Sequence, residues 1–188
     1  MKRGTLPRFL IVGCLALGTL WQVGCATRSA PTHFYLLSAT LPPVTAAPAK
    51  TNVGLWVDPL PEYLRRPELA VRSGPNEVVY HDFQHWAEPL DRAVPTILAQ
   101  DLARALGQSA IWLYPWTSAT PPTRVFHVRI DRFDAAPSGA VTLTASVATG
   151  DTWQEHTVTA QADSPTPASI VAAQSQALAQ LAQAMAQP

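Results

Sequence analysis

One thiol is the residue of this chain best placed for chemistry. Cys25 follows Val23 and Gly24, and a small residue directly before a cysteine is the setting in which that thiol becomes a nucleophile toward a lipid donor. After cleavage at Gly24, Cys25 would be the acylated first residue. The upstream residues suit this. Lys2, Arg3 and Arg8 form a positive n-region, and Phe9 to Trp21 form an apolar run of 13 residues. That is the length of a signal h-region and short of the roughly 20 residues that a membrane-spanning helix needs. Residues 1–24 are therefore predicted to be a lipoprotein signal peptide. Two features depart from the usual pattern. Gln22 stands where Leu is customary, and Ile11-Val12-Gly13-Cys14 is a second box-like string. Only about three apolar residues precede that second string, too few for an h-region of its own.

Acylation would set the membrane affinity. At about 0.8 kcal/mol per buried CH2, one palmitate-like chain binds reversibly, while two or three hold essentially permanently. Ala26, not Asp, follows the cysteine, which by analogy with enterobacterial sorting points to the outer membrane and a periplasm-facing protein.

Other chemistry is sparsely provided for. His81 and His85 are four apart but fall on a predicted strand, and no third ligand stands at a suitable spacing. His127 and His156 are expected on the solvated face of alternating strands. No Gly-rich phosphate loop, Gly-x-Ser-x-Gly string or Ser/His/Asp cluster is present in the sequence,. Asp58, Glu62, Asp82, Glu88 and Asp91 could pair only through tertiary proximity. The expectation is a protein without catalytic residues, metal or cofactor.

Composition narrows the partners. The signal removes three basic residues and no acidic one, leaving ten against 13, a net charge of −3 with Lys50 the only lysine. That balance gives no footprint for nucleic acid. With Cys25 acylated, the mature chain has no second cysteine for a disulfide,.

The elements that must carry these residues follow from periodicity. Residues 25–33 are a small, polar, lipidated tether reaching roughly 30 Å at most, and residues 34–188 are predicted to be a single domain. Phe34 to Leu37 reads as a short buried strand, and residues 38–51 as a Pro/Ala-rich loop. Val53 to Val57 is a strand, and Glu62 to Arg66 a turn or single helical turn. Leu69 to Arg72 and Glu77 to Phe83 form a hairpin around Ser73-Gly74-Pro75-Asn76. A helix over about 88–106 buries Leu90, Val94, Ile97, Leu98 and Leu102, with Pro95 an internal flaw and Gly107 its stop. Ile111 to Tyr114 is a short strand. Arg124 to Phe133, Val141 to Ala148 and Trp153 to Ala162 alternate as an antiparallel meander. A closing helix over about 167–186 places Ile170, Val171, Gln174, Leu178, Leu181 and Met185 along one stripe. The order argues for an α+β domain, a largely antiparallel sheet with two helices packed on one face.

Two aromatic passages stand out. Trp112, Tyr114 and Trp116 share one face of a strand that holds Ile111 and Leu113 on the other. Such a two-faced apolar strand is expected to be buried, an interface or lipid-contact patch being the other reading. Tyr63-Leu64-Arg65-Arg66 forms an aromatic, aliphatic and basic knot suited to a partner or to anionic headgroups, or simply an exposed turn.

Four passages in order carry a resemblance. They are Gly24-Cys25 with Phe34-Tyr35-Leu36-Leu37; Leu60-Pro61-Glu62-Tyr63-Leu64-Arg65-Arg66-Pro67 with Val71-Arg72; His85-Trp86-Ala87-Glu88-Pro89-Leu90; and Val128 to Phe133. Across nearly the whole mature chain, the protein resembles the ABC-type transport auxiliary lipoproteins, also called PqiC-like lipoproteins. The resemblance implies a small α+β domain on an outer-membrane lipoprotein of a lipid-trafficking system that maintains membrane integrity. Its partners would be an inner-membrane permease, an ATPase and an MCE-domain protein forming a hydrophobic conduit, whose far end the lipoprotein would dock. Tyr63, Leu64, Arg65, Arg66 and Trp86, which lie in these passages, are the candidate docking residues, with Trp86 and Glu88 equally suited to a structural role in fixing the helix entry; self-association into a homo-oligomer stays open. The other reading is a structural or assembly lipoprotein that stabilises a different outer-membrane complex.

Overall fold

Strict alternation over three long segments builds the centre of the molecule. In the computed structural model, which describes residues 30–43, 52–117 and 121–187, these segments are β6 (Arg124–Ala135), β7 (Ala140–Thr149) and β8 (Thr152–Gln161), joined as an antiparallel meander. Ahead of them come β1 (His33–Tyr35), β2 (Val53–Val57), β3 (Glu68–Gly74), β4 (Glu77–Trp86) and the two-residue β5 (Trp112–Leu113). Helix α1 (Leu90–Ala105) separates β4 from β5, and helix α2 (Pro167–Ala186) closes the chain. All eight strands form one mixed sheet. Its long ladders, β3 with β4, β6 with β7 and β7 with β8, are antiparallel, and the parallel pairings are short.

Strand β6 is the branch point. One edge pairs with β7 along most of its length, while the other is divided. There β2 takes Arg124 to Val128 in parallel, and β3 meets β6 only at Ala135. Strand β5 extends the sheet beyond β2, and β4 and then β1 extend it beyond β3.

A bulge in β6 keeps its apolar residues on one side. Phe126, Val128 and Ile130 alternate inward, and the register then shifts between Ile130 and Arg132 so that Phe133 and Ala135 point the same way. Without the extra residue, Asp131, the alternation would turn Phe133 to the opposite face. Inward pairs Val128–Val147, Ile130–Ala145, Phe133–Leu143 and Ala135–Val141 then line up across the ladder, all buried.

Both helices lie over this apolar face and pack on each other, their buried residues joining those of the sheet in one core. Every residue of the expected α2 stripe, Gln174 included, is buried. Thr166 caps α2 by accepting the Ser169 N–H at 3.4 Å, with Pro167 at its first position,. Helix α1 runs through Pro95, whose missing N–H falls on the second turn,. It ends in a Schellman arrangement. Gly107 has φ +65°, its N–H reaches Arg104 O, and Gln108 N–H reaches Ala103 O,.

The segment after β1 is tied down more firmly than its composition suggests. Leu37 enters the core. Ser38 N–H donates to Ser175 Oγ, Leu41 N–H donates to Asp101 Oδ1 at 2.9 Å, and Arg104 donates to Leu41 O. The loop expected over 38–51 is thus anchored on both helices at its start; residues 44–51 lie outside the described residues. So do Gly24, Cys25 and all of the expected signal and tether before Ala30. No helix among the described residues is long and apolar enough to cross a membrane.

Candidate functional site: the uncovered face of the sheet

The face that no helix among the described residues covers carries a row of rings. Parallel register sets Trp56 beside His127, and antiparallel register sets His127 beside Ala148 and Ala148 beside Trp153. Trp56 stacks on His127 with centroids 4.2 Å apart and planes 10° from parallel. On its other side Trp56 stacks on Tyr114, which follows β5, at 4.8 Å. Trp116 meets Tyr114 edge-on at 5.2 Å. His127 reaches across β7 to Trp153 at 4.9 Å. That crossing depends on Ala148, the residue between them, having a side chain of one carbon.

Small residues and hydrogen bonds hold the row in place. Gly54 sits beneath Trp116 and Pro122, and a Cβ there would lie 2.8 Å from Trp116 Cζ2 and 2.7 Å from Pro122 Cγ. Trp116 Nε1 donates to Trp112 O at 3.1 Å. His127 Nε2 lies 2.8 Å from Asp58 Oδ1; a carboxylate only accepts, so this contact places the proton on Nε2. Arg129 covers Trp153 at 5.5 Å, a cation–π contact,. Even so, Trp56, Tyr114 and Trp153 remain 37 %, 51 % and 45 % exposed.

The expectation that Trp112, Tyr114 and Trp116 lie buried is corrected here. Strand β5 is the outermost strand beside β2, only two residues long, and Trp112, Leu113 and Tyr114 are all exposed. The histidine expectation divides. His127 is on the uncovered face. His156, opposite inward-facing Ala145, lies on the helix side near Met185. Among the described residues, no three of His, Cys, Asp or Glu gather as metal ligands.

The uncovered face changes character along β6. Beyond the bulge, Asp134 is fully buried between two guanidinium groups. Arg132 binds its Oδ1 and Arg72 its Oδ2, each at 2.9 Å. Tyr63 completes this cluster: its hydroxyl donates to Asp134 Oδ2 at 2.9 Å and accepts the Phe133 N–H at 3.3 Å. Burial, opposed by the Phe133 N–H and reinforced by the Asp134 carboxylate, raises the phenol above its ordinary range and keeps it a donor,.

Tyr63 therefore fills a gap in the sheet. Among the described residues, no strand lies beside the β6 edge between its pairing with β2 and its pairing with β3. The chain from Asp58 to Pro67 lies along that gap. Asp58 N–H donates to Val128 O at one end, and the Tyr63 hydroxyl satisfies Phe133 at the other,. Tyr80 donates to Tyr63 O and fixes the turn from the far side.

The five residues expected to dock a partner are divided by the structure. Leu64 and Trp86 are core residues, 4 % and 7 % exposed, and their side chains are spent on packing. Tyr63 is half-buried and committed to Asp134. Arg65 and Arg66 are at the surface; Arg65 bridges Glu62 and Asp91, and Arg66 pairs with Glu68 while lying over the Tyr80 ring at 4.5 Å. Chain order hides the aromatic row as a unit because Trp56, His127 and Trp153 are far apart in the sequence. The signal available was alternation: each is an aromatic residue on the outward phase of its strand.

The fold is a small α+β domain whose exposed sheet face presents a row of aromatic side chains. Residues 35–186 match the family of the ABC-type transport auxiliary lipoprotein component, and the chain belongs to that family. Two solved structures share the fold. A crystal structure of an uncharacterized protein superimposes with TM-score 0.64 at 18 % identity, covering 84 % of this chain and 97 % of the other. The crystal structure of protein XCC0632 from Xanthomonas campestris, of family DUF330, does so with TM-score 0.62 at 18 % identity, covering 82 % and 93 %. No curated protein matches the sequence.

Proposed function

We propose that this auxiliary lipoprotein is acylated at Cys25, faces the periplasm from the outer membrane, and docks the MCE-domain conduit of an ABC-type lipid transport system. The role is non-enzymatic. The observation that carries it is the exposed row Tyr114, Trp56, His127 and Trp153. Large aromatic side chains left uncovered on a sheet face, with ionic groups beside them, have the composition of an interface whose centre is aromatic and whose rim is polar. Rigid rings locked by their neighbours lose little side-chain entropy when a partner covers them. Arg65 and Arg66, at the surface among Glu62, Asp91 and Glu68, add an ionic patch, and we assign them the rim.

The test is capture of the cognate MCE-domain protein by full-length protein extracted from membranes. Trp56→Ala and Trp153→Ala should each lower retention at least tenfold, about 1.4 kcal/mol. Arg65→Glu should weaken it less and make it salt-sensitive. Unchanged retention in the tryptophan variants would remove the row from the interface. Mass spectrometry of material made in the native host checks acylation, and a free Cys25 thiol would end the anchored reading.

A further inference from the structure

A second apolar surface lies at the opposite end of the strand order, where the chain enters the sheet. Among the described residues, strand β1 pairs only with β4, and no other strand takes its second edge. Its alternation sends Tyr35 inward, where the hydroxyl donates to Gln84 Oε1 at 2.6 Å, and buries Leu37 just beyond it. Phe34 and Leu36 take the outward phase and are 65 % and 55 % exposed. Phe34 meets the His85 ring edge-on at 5.9 Å. Phe83, adjacent to the Gln84 that pairs with His33, is also exposed.

We propose that Phe34, Leu36 and Phe83 form a membrane-contact face that seats the domain on the phospholipid bilayer holding its own anchor. This rests on the acylation of Cys25 proposed above. The occupant follows from chain length. Eight residues separate Cys25 from Phe34, a span of about 30 Å at full extension, so an acylated chain holds this face within reach of lipid at all times. Tethering makes that contact intramolecular, and a weak apolar patch suffices. Phe and Leu are the right side chains for the boundary between headgroups and acyl chains.

Charge indicates how the contact works. Neither 31–43 nor 77–88 contains Lys or Arg, and Asp82 and Glu77 are exposed on β4. The face therefore offers no attraction to anionic headgroups. It inserts by apolar burial and holds at high salt and on zwitterionic lipid.

Spin labels read this directly. Acylation blocks Cys25, so in the mature acylated protein Phe34→Cys, Phe83→Cys and Trp153→Cys each introduce a single reactive thiol at an exposed site. The labelled proteins are reconstituted into vesicles of phosphatidylethanolamine and phosphatidylglycerol, and into vesicles of phosphatidylcholine alone. Power saturation should show labels at 34 and 83 gaining oxygen contact and losing contact with a water-soluble nickel chelate severalfold, in both lipids and in high salt. The label at 153 should stay in water. Protein that floats with vesicles while labels 34 and 83 remain fully accessible to nickel overturns the membrane face and leaves the anchored reading intact. Protein that does not float overturns both. Spin–spin broadening at 34 would put a second copy on this face and also overturn the proposal.

Discussion

The two faces of β6 and β7 are made by the same alternation and serve different ends. Inward, Phe126, Val128, Ile130, Phe133, Val141, Leu143 and Ala145 meet the helices and are almost entirely buried. Outward, the same strands carry His127, Arg129, Arg132 and Asp134 against Ala148, Ser146, Thr144 and Thr142. The inward face is held by apolar burial, which is non-directional. The outward face is held by named contacts: a ring stack at one end and a buried carboxylate between two arginines at the other. An apolar surface that helices cover contributes stability. One that specific contacts hold rigid yet leave exposed is available for recognition.

Substitutions that separate the faces test this directly. Phe133→Ala should cost about 3–5 kcal/mol, read as a fall in denaturant midpoint, with partner capture lost only as the fold is lost. Trp153→Ala should leave the midpoint nearly unchanged while capture falls. Equal loss of stability in the two would mean the ring row is part of the core's support.

Tyr63→Phe sharpens the ionic end. Removing one oxygen leaves the Phe133 N–H without its acceptor and Asp134 without one of its donors, at a cost of about 1–3 kcal/mol. Hydrogen exchange at Phe133 should rise specifically. A silent Tyr63→Phe would show that the loop merely covers the β6 edge without completing its hydrogen bonding.

The smallest effect concerns pH. Asp101 on α1 is fully buried, and burial raises its carboxyl above the ordinary aspartate range, against the lowering pull of the Leu41 and Thr40 N–H groups and Arg104. A raised acid binds its proton more tightly in the folded state. Its contribution is therefore fully present below the unfolded value and is lost as pH rises through the folded one. The stability difference between wild type and Asp101→Asn should thus move in favour of wild type on acidification across that window, and stay flat well above it. A difference that moves toward the variant would mean that the paired N–H groups dominate over burial.

Local rules predicted much of the architecture. Gly107 marked a helix end, and Ser73-Gly74-Pro75-Asn76 marked the β3–β4 turn, because stops and turns are decided by a few neighbouring residues. The meander was legible in its period of two. The bulge at Asp131 was not, since a single extra residue is visible only once β6 is laid against β7. Trp112 to Tyr114 looked buried because both phases are apolar; whether a strand is central or outermost is not encoded in its own residues. Tyr63 looked like a contact residue because an aromatic ring beside two arginines suits a partner, and the partner it finds is Asp134, far along the chain.

By itself, the order of residues determined the class of fold, the two helices and the runs that become strands, since each follows from periodicity within one short window. The family, too, was legible there, in passages that keep their order along the chain. Tertiary structure alone decided that β6 is shared between two neighbours on one edge, that Tyr63 closes the gap between them, and that four distant rings form one row. Those outcomes depend on register between segments tens of residues apart, where a shift of one position would send every side chain to the other face.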